Sequence, residues 1–214
     1  QMCIRDRSNS SVTIQHTEIK NFGNGIRALS NDMTIINNVV SNCVNGIVIH
    51  AGRNHRILSN VISQFKAMGI GAISVQNLTI ESNIITDGYD GIHFGGLESS
   101  IIGNIISNNS QSGLYIAAFL FNFWGSSNVI KLNDIINNQR AGMEIDSFET
   151  QAFYNNSIYH NNMVNNTQQI MFNRALGANN WDDGYPFGGN YWSNYNGTDL
   201  FRGIYQDITG SDGI

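Results

Sequence analysis

A chain of 214 residues with 41% apolar and 13% charged residues is long enough for one domain with its own core, and its composition excludes a disordered tract. A net charge of −5 and a pI near 5.4 exclude the basic footprint of a nucleic-acid binder, and no apolar run approaches the roughly 18 residues of a membrane-spanning helix. The compositional excess is in Asn and Ile, about 30 of each, against one proline. Asn favours turns and tolerates left-handed backbone, while the branched Ile side chain packs on pleated strands, so short strands broken by tight corners are expected.

The opening residues 1–7, QMCIRDR, fall outside the pattern of the rest and resemble a translated adaptor scar, so they carry no weight in the fold. Cys3 belongs to that stretch, which leaves Cys43 as a lone core thiol. From residue 8 three markers recur in fixed order. The first is a strand-like triplet: Val12-Thr13-Ile14, Met33-Thr34-Ile35, Arg56-Ile57-Leu58, Leu78-Thr79-Ile80, Ser100-Ile101-Ile102, Asn128-Val129-Ile130 and Ser157-Ile158-Tyr159. The second is an Asn before two apolar residues, as in Asn38-Val39-Val40, Asn60-Val61-Ile62, Asn83-Ile84-Ile85 and Asn104-Ile105-Ile106, continued by Asn133 and by Asn162-Met163-Val164. The third is a glycine–apolar pair: Gly25-Ile26, Gly46-Ile47, Gly69-Ile70, Gly91-Ile92, Gly113-Leu114 and Gly142-Met143.

These markers predict an all-β, right-handed parallel β-helix over residues 8–172, with about seven coils of about 22 residues and three short strands per coil. Asn at a repeated corner is expected to take the left-handed turn and to form amide ladders with its counterparts above and below. Asn24-Gly25, Asn45-Gly46 and Asp90-Gly91 are hairpin signals that would suit an antiparallel barrel or sandwich. Three distinct markers in constant order, with no strand beyond about five residues, favour the solenoid. Residues 173–214 read as a cap, with Trp181, Tyr185, Tyr191, Trp192 and Tyr195 plugging the open end.

The N-x-I-I-x-N…G-I-x-I coils of residues 8–172 resemble the parallel β-helix repeats of the NosD-like family, within the wider pectin-lyase-like fold. Residues 180–214 resemble the terminal motif of archaeal and bacterial NosD-like cell-surface proteins, W-x-x-G-x-P-x-G-G-N-Y-W-S-x-Y followed by G-S-D-G-I. That motif continues with Gly-Asp-x-Pro-Tyr, whereas this chain stops at Gly213-Ile214, so truncation at the C-terminus is expected. The resemblance implies an extracytoplasmic protein, whether extracellular, displayed on the cell surface or periplasmic. It also carries a periplasmic copper-binding label tied to maturation of nitrous oxide reductase.

Alternation within the Gly-Ile strands sends one column outward as Arg27, Val48, Gly71, His93, Tyr115 and Glu144, and a second as Leu29, His50, Ile73, Gly95, Ala117 and Asp146. His93, Glu144 and Asp146 are therefore candidate acid–base residues on adjacent rungs. Two lengthened coils place Phe119–Trp124 and Ser147–Gln151 beside the same columns. Tyr115, Phe121, Phe123, Trp124 and Phe148 are the corresponding candidates for stacking on sugar. Arg140 is the one basic residue close by in sequence.

Copper needs convergent imidazole, thiolate or thioether ligands. His16, His50, His55, His93 and His160 are scattered, although His50 and His55 flank a turn and could approach each other, so no metal or other cofactor is expected from the residues. The tail carboxylates Asp182, Asp183, Asp199, Asp207 and Asp212 lie among glycines and could hold calcium, but lack an EF-hand or nonapeptide spacing. Six Asn-x-Ser/Thr triplets begin at Asn9, Asn77, Asn108, Asn155, Asn165 and Asn196. The leading expectation is a non-catalytic module binding polysaccharide or cell-envelope glycan. A polysaccharide lyase or glycoside hydrolase comes second, and a copper-handling accessory protein third.

Overall fold

The computed structural model describes residues 4–6, 11–118, 125–147, 153–174, 177–205 and 207–211. Three parallel sheets run the length of the chain, each coil contributing one strand to each. Sheet A contains the Gly-Ile segments as Asn24–Ala28, Asn45–Arg53, Met68–Gln76, Asp90–Leu97, Leu114–Ala118 and Ala141–Ser147, with Gln168–Phe172 after them. Before them comes Ile4–Asp6, from the opening residues set aside on sequence, which pairs with residues 26–28. Sheet B has seven strands, from Val12–Gln15 to Ser157–Tyr159, and sheet C has eight, from Glu18–Lys20 to Tyr191–Trp192. The fold is thus the expected all-β parallel β-helix with three strands per coil, although four sheet A strands run to seven to nine residues where about five were expected. The described residues include no helix long and apolar enough to cross a membrane.

In-register pairing turns the sequence period into columns. Sheet A stacks Ile26, Ile47, Ile70, Ile92, Leu114 and Met143. Sheet B stacks Ile14, Ile35, Ile57, Ile80, Ile101, Ile130 and Ile158. Sheet C stacks Ile19, Val40, Ile62, Ile85, Ile106, Ile135 and Met163. Each rung closes one residue from each column into a buried triangle, so every coil buries apolar surface against its neighbours as well as within itself. Cys43 is the expected buried free thiol.

The glycine of each Gly-Ile pair is required by space. A Cβ on Gly91 would lie 2.5 Å from the Gly113 carbonyl oxygen of the next coil and 2.5 Å from Ile106 Cγ2. Gly46 and Gly69 meet the same two obstacles, a glycine carbonyl above and an isoleucine methyl inside.

The corners divide a task that the sequence reading gave to one residue. Left-handed backbone falls on Asn37, Ser59, Ser82, Gly103, Leu132 and His160, and the buried ladder residue follows each of them. That ladder runs Asn38, Asn60, Asn83, Asn104, Asn133, Asn161 and Asn190, each amide bonded to the next at 2.8–3.0 Å. Asn161, and not Asn162, is therefore the ladder member of its coil; Asn162 points out and bonds Asp134. A left-handed residue must turn its side chain outward to sharpen the corner, so it cannot also stack inside. Two further ladders run Asn109–Asn138–Asn166 and Asn128–Asn156–Asn179, and all but Asn179 follow a left-handed residue.

His55 occupies the ladder position of the A-to-B corner and is fully buried. Its Nδ1 accepts the Met33 N–H at 3.4 Å. Burial lowers its pKa below the ordinary 6.5, against the opposing pull of the Ala51 carbonyl and the Asp32 charge. Protonation would set a second N–H against the Met33 N–H. The unfolded chain therefore takes up this proton first as the pH falls below 6.5, and stability declines through that window. We expect the thermal midpoint to drop between about pH 7.5 and about pH 5.5, and His55→Asn, the residue that the last coils place here as Asn128 and Asn156 after Leu78 and Ser99, to flatten the slope. An unchanged slope in the variant would refute the assignment.

The last coil continues past residue 172. Asn179 and Asn190 extend two ladders, and Tyr191–Trp192 joins sheet C beside Asn162–Met163. Trp181 and Trp192 pack against the core end, with Phe172 edge-on to Trp181 at 6.0 Å. Tyr185, Tyr191 and Tyr195 are 45%, 59% and 75% exposed, so these three do not plug the solenoid.

Candidate functional site

Sheet A brings the sequence-predicted column together. Gly71, His93, Tyr115 and Glu144 are direct Cα partners on successive coils, and Asp146 pairs with Ala117 two residues along. The His93 and Tyr115 rings lie 4.6 Å apart, tilted by 58°. Tyr115 donates its phenol O–H to Asp146 Oδ2 at 3.1 Å. Burial, then the Asp146 carboxylate, raises the Tyr115 pKa, so the phenol keeps its proton. Burial lowers the pKa of His93, which holds its imidazole neutral. Its Nε2 is buried with no hydrogen-bond partner among the described residues.

Glu144 is more tightly held than alternation predicts. Although it leaves the outer face of the strand, it is only 3% exposed. Ser112 donates to its Oε2 at 2.6 Å, while Arg140 and Asn173 donate to its Oε1 at 2.8 and 3.0 Å. Those donors arrive from three coils and cover the carboxylate from both sides. Asp90 completes the cluster, its Oδ1 accepting the Ser112 N–H at 3.1 Å. Burial raises the Asp90 pKa above 3.8, with Glu144 adding to the rise and the Ser112 N–H and Arg140 opposing it.

Together Tyr89, Asp90, Gln111, Tyr115, Arg140, Glu144, Asp146 and Asn173 line an open cleft of about 260 Å³. Asp90, Ser112 and Asn173 were not singled out by sequence reasoning. The signal for the first two was available, because the residue before each marker glycine occupies one side of this face and is Asp at 90 and Ser at 112. Asn173 follows the last sheet A strand and carries no repeat signature.

The stems of the two lengthened coils leave sheet A at the paired residues Ala118 and Ser147. They return at the paired Gly125 and Phe153, in a short parallel ladder of their own. Phe121, Phe123, Trp124 and Phe148, the aromatic wall expected from sequence, lie outside the described residues. Asp146 borders the second stem, so these insertions start at one end of the cleft.

A family model described as "Periplasmic copper-binding protein (NosD)" matches residues 3–197. No curated protein matches the chain. The ligand types that copper requires are present but dispersed. His16 and His160 sit at left-handed corners, and His160 Nε2 bonds the Phe187 carbonyl at 2.9 Å. His55 is buried in a ladder position, His50 is exposed and His93 stacks on Tyr115. Cys43, Met33, Met143 and Met163 belong to the core. Among the described residues no group of three His, Cys, Asp or Glu could hold a metal ion, so they do not fit a copper centre. In the tail, Asp182 accepts the Gly184 N–H and Asp199 accepts the Ser211 hydroxyl. With a family model matched across the coils and a parallel solenoid of three strands per coil, the chain belongs to the NosD family, whose periplasmic description agrees with an extracytoplasmic location.

Proposed function

We propose that the chain is an extracytoplasmic β-helix module that binds polysaccharide or cell-envelope glycan, without catalysis, in the cleft on sheet A. The observation that carries this reading is the make-up of the cleft. Tyr89 and Tyr115 line it beside the planar hydrogen-bonding groups of Asp90, Gln111, Arg140, Asp146 and Asn173. Sugars present C–H faces to rings and hydroxyls to such groups. Phe121, Phe123, Trp124 and Phe148, on insertions whose stems adjoin Asp146, would extend the wall. Glu144 supports binding over acid–base chemistry, because its two oxygens already accept three hydrogen bonds.

One observation favours an enzymatic reading, a polysaccharide lyase or glycoside hydrolase. Burial raises the pKa of the Asp90 carboxyl at the cleft wall, as a general acid requires, with Asp146 in the same cleft and His93 behind Tyr115 as the remaining acid–base candidates. The family description favours copper handling, which calorimetric titration of the full chain with Cu(I) and Cu(II) tests directly.

Glycan arrays followed by calorimetry on the full chain test the proposal. Tyr115→Ala is expected to weaken glycan binding about tenfold, the loss of one well-packed aromatic anchor. No glycan bound by the wild type, or equal binding by the variant, sinks the reading. Product release that disappears in Asp146→Asn while binding persists would establish the enzyme instead. Glu144→Ala would be a poor probe, since it strips partners from Ser112, Arg140 and Asn173 and loosens three coils at once.

A further inference from the structure

The six Asn-x-Ser/Thr triplets are not equivalent once folded. Asn9 lies outside the described residues. Asn77, Asn108, Asn155 and Asn165 all occupy left-handed corners, at φ of 52°, 56°, 55° and 53°. The middle residue of each triplet then points into the solenoid: Leu78, Asn109, Asn156 and Asn166 are buried. The third residue is committed as well. Thr79 and Ser157 lie in sheet B, Ser110 donates its hydroxyl to the Gly88 carbonyl at 3.1 Å, and Thr167 donates to the Gln139 carbonyl at 2.7 Å. Two of the acceptor amides are engaged too, Asn77 with Asn54 and Asn155 with Ser127.

Asn196-Gly197-Thr198 differs in every respect. It follows the final sheet C strand, lies in no strand, and all three residues are exposed. An enzyme that glycosylates Asn must reach the side-chain amide and the hydroxyl two residues on at the same time, in a segment it can bend. A coil corner could satisfy this only by releasing its middle residue from the core and breaking the ladder. The tail triplet needs no such opening.

We propose that Asn196 is the site at which the folded chain accepts an N-linked glycan from a polyprenyl-diphosphate-linked oligosaccharide, a donor class found where extracytoplasmic proteins are modified. In that transfer the C1–O bond between the sugar and the diphosphate breaks, and a C1–N bond to Asn196 Nδ2 forms. The amide gives up one proton, and the polyprenyl diphosphate departs with the bonding electron pair. No oxidation or reduction is involved. The site is separate from the sheet A cleft and does not depend on its function.

Incubating the folded full chain with such a donor and a single-subunit oligosaccharyltransferase that accepts Asn-x-Ser/Thr without an upstream acidic residue tests this by intact mass. A peptide of residues 192–200 serves as the acceptor control. One glycan on the folded wild type is expected, and none on Asn196→Gln or Thr198→Ala, while urea-unfolded chain takes up several. Because residues 196 and 198 are exposed, circular dichroism should show both variants folded. A glycan retained on folded Asn196→Gln overturns the proposal. So does an unmodified folded wild type under conditions that modify the peptide.

Discussion

Replacing Asn104 with alanine is expected to lower the stability of the folded chain by about 4 kcal/mol, among the largest losses available to a single truncation in this solenoid. Asn104 Nδ2 donates to the carbonyls of Ile80 and Ile102 at 3.0 and 3.1 Å and to Asn133 Oδ1 at 2.9 Å. Its Oδ1 accepts the Asn83 backbone N–H at 2.9 Å and the Asn83 amide at 3.0 Å. Alanine strands the buried Asn83 N–H and the Ile80 carbonyl and interrupts the ladder between two coils. Each orphaned buried group costs about 1–3 kcal/mol, and several are created together. The neighbouring left-handed corner provides the contrast. Asn108 is exposed and serves chiefly through its backbone conformation, so Asn108→Ala should cost about 1 kcal/mol. Urea unfolding of both variants measures the difference, and similar midpoints would refute the division of labour between ladder and corner.

Gly91→Ala is expected to cost about 3 kcal/mol, from overpacking alone. The added methyl would meet a backbone carbonyl and an interior isoleucine methyl, both at 2.5 Å, and neither is the loose end of a flexible side chain. Relief requires the coils containing Gly91 and Gly113 to separate, which weakens sheet A where Asp90 lines the cleft and Ser112 holds Glu144. Gly103→Ala isolates the other reason for glycine. It has φ +63° and nothing nearer than Ser82 Oγ at 4.0 Å, so it should lose only the left-handed penalty, about 1 kcal/mol. Thermal unfolding that ranks Gly103→Ala at or above Gly91→Ala would contradict the spatial explanation of the Gly-Ile marker.

The site was partly legible for the same reason as the fold. In-register stacking makes position in the period equivalent to position on a face, so His93, Tyr115 and Glu144 could be aligned from their glycines alone, and the structure pairs them as such. What surrounds Glu144 was only partly legible. Ser112 keeps the phase of its glycine, but Asn173, 29 residues from Glu144, follows the last sheet A strand, where the period no longer dictates direction. Burial of Glu144 follows from those donors, not from its place in the strand.

The corners teach the same lesson at shorter range. Asn37-Asn38, Asn108-Asn109, Asn137-Asn138, Asn155-Asn156 and Asn165-Asn166 are doublets in which composition marks a corner without saying which amide turns inward. Backbone geometry decides, since the left-handed residue projects outward and its successor drops into the ladder. The sequence by itself determined the period, the three strands per coil and the apolar column of each sheet, because β-branched residues at constant spacing can bury their side chains only by stacking. Tertiary structure decided which asparagines carry the ladders, why the marker glycines cannot be larger, and which polar groups from separate coils converge on sheet A. Those outcomes depend on contacts between coils, and a local pattern cannot specify distances across the gap between one coil and the next.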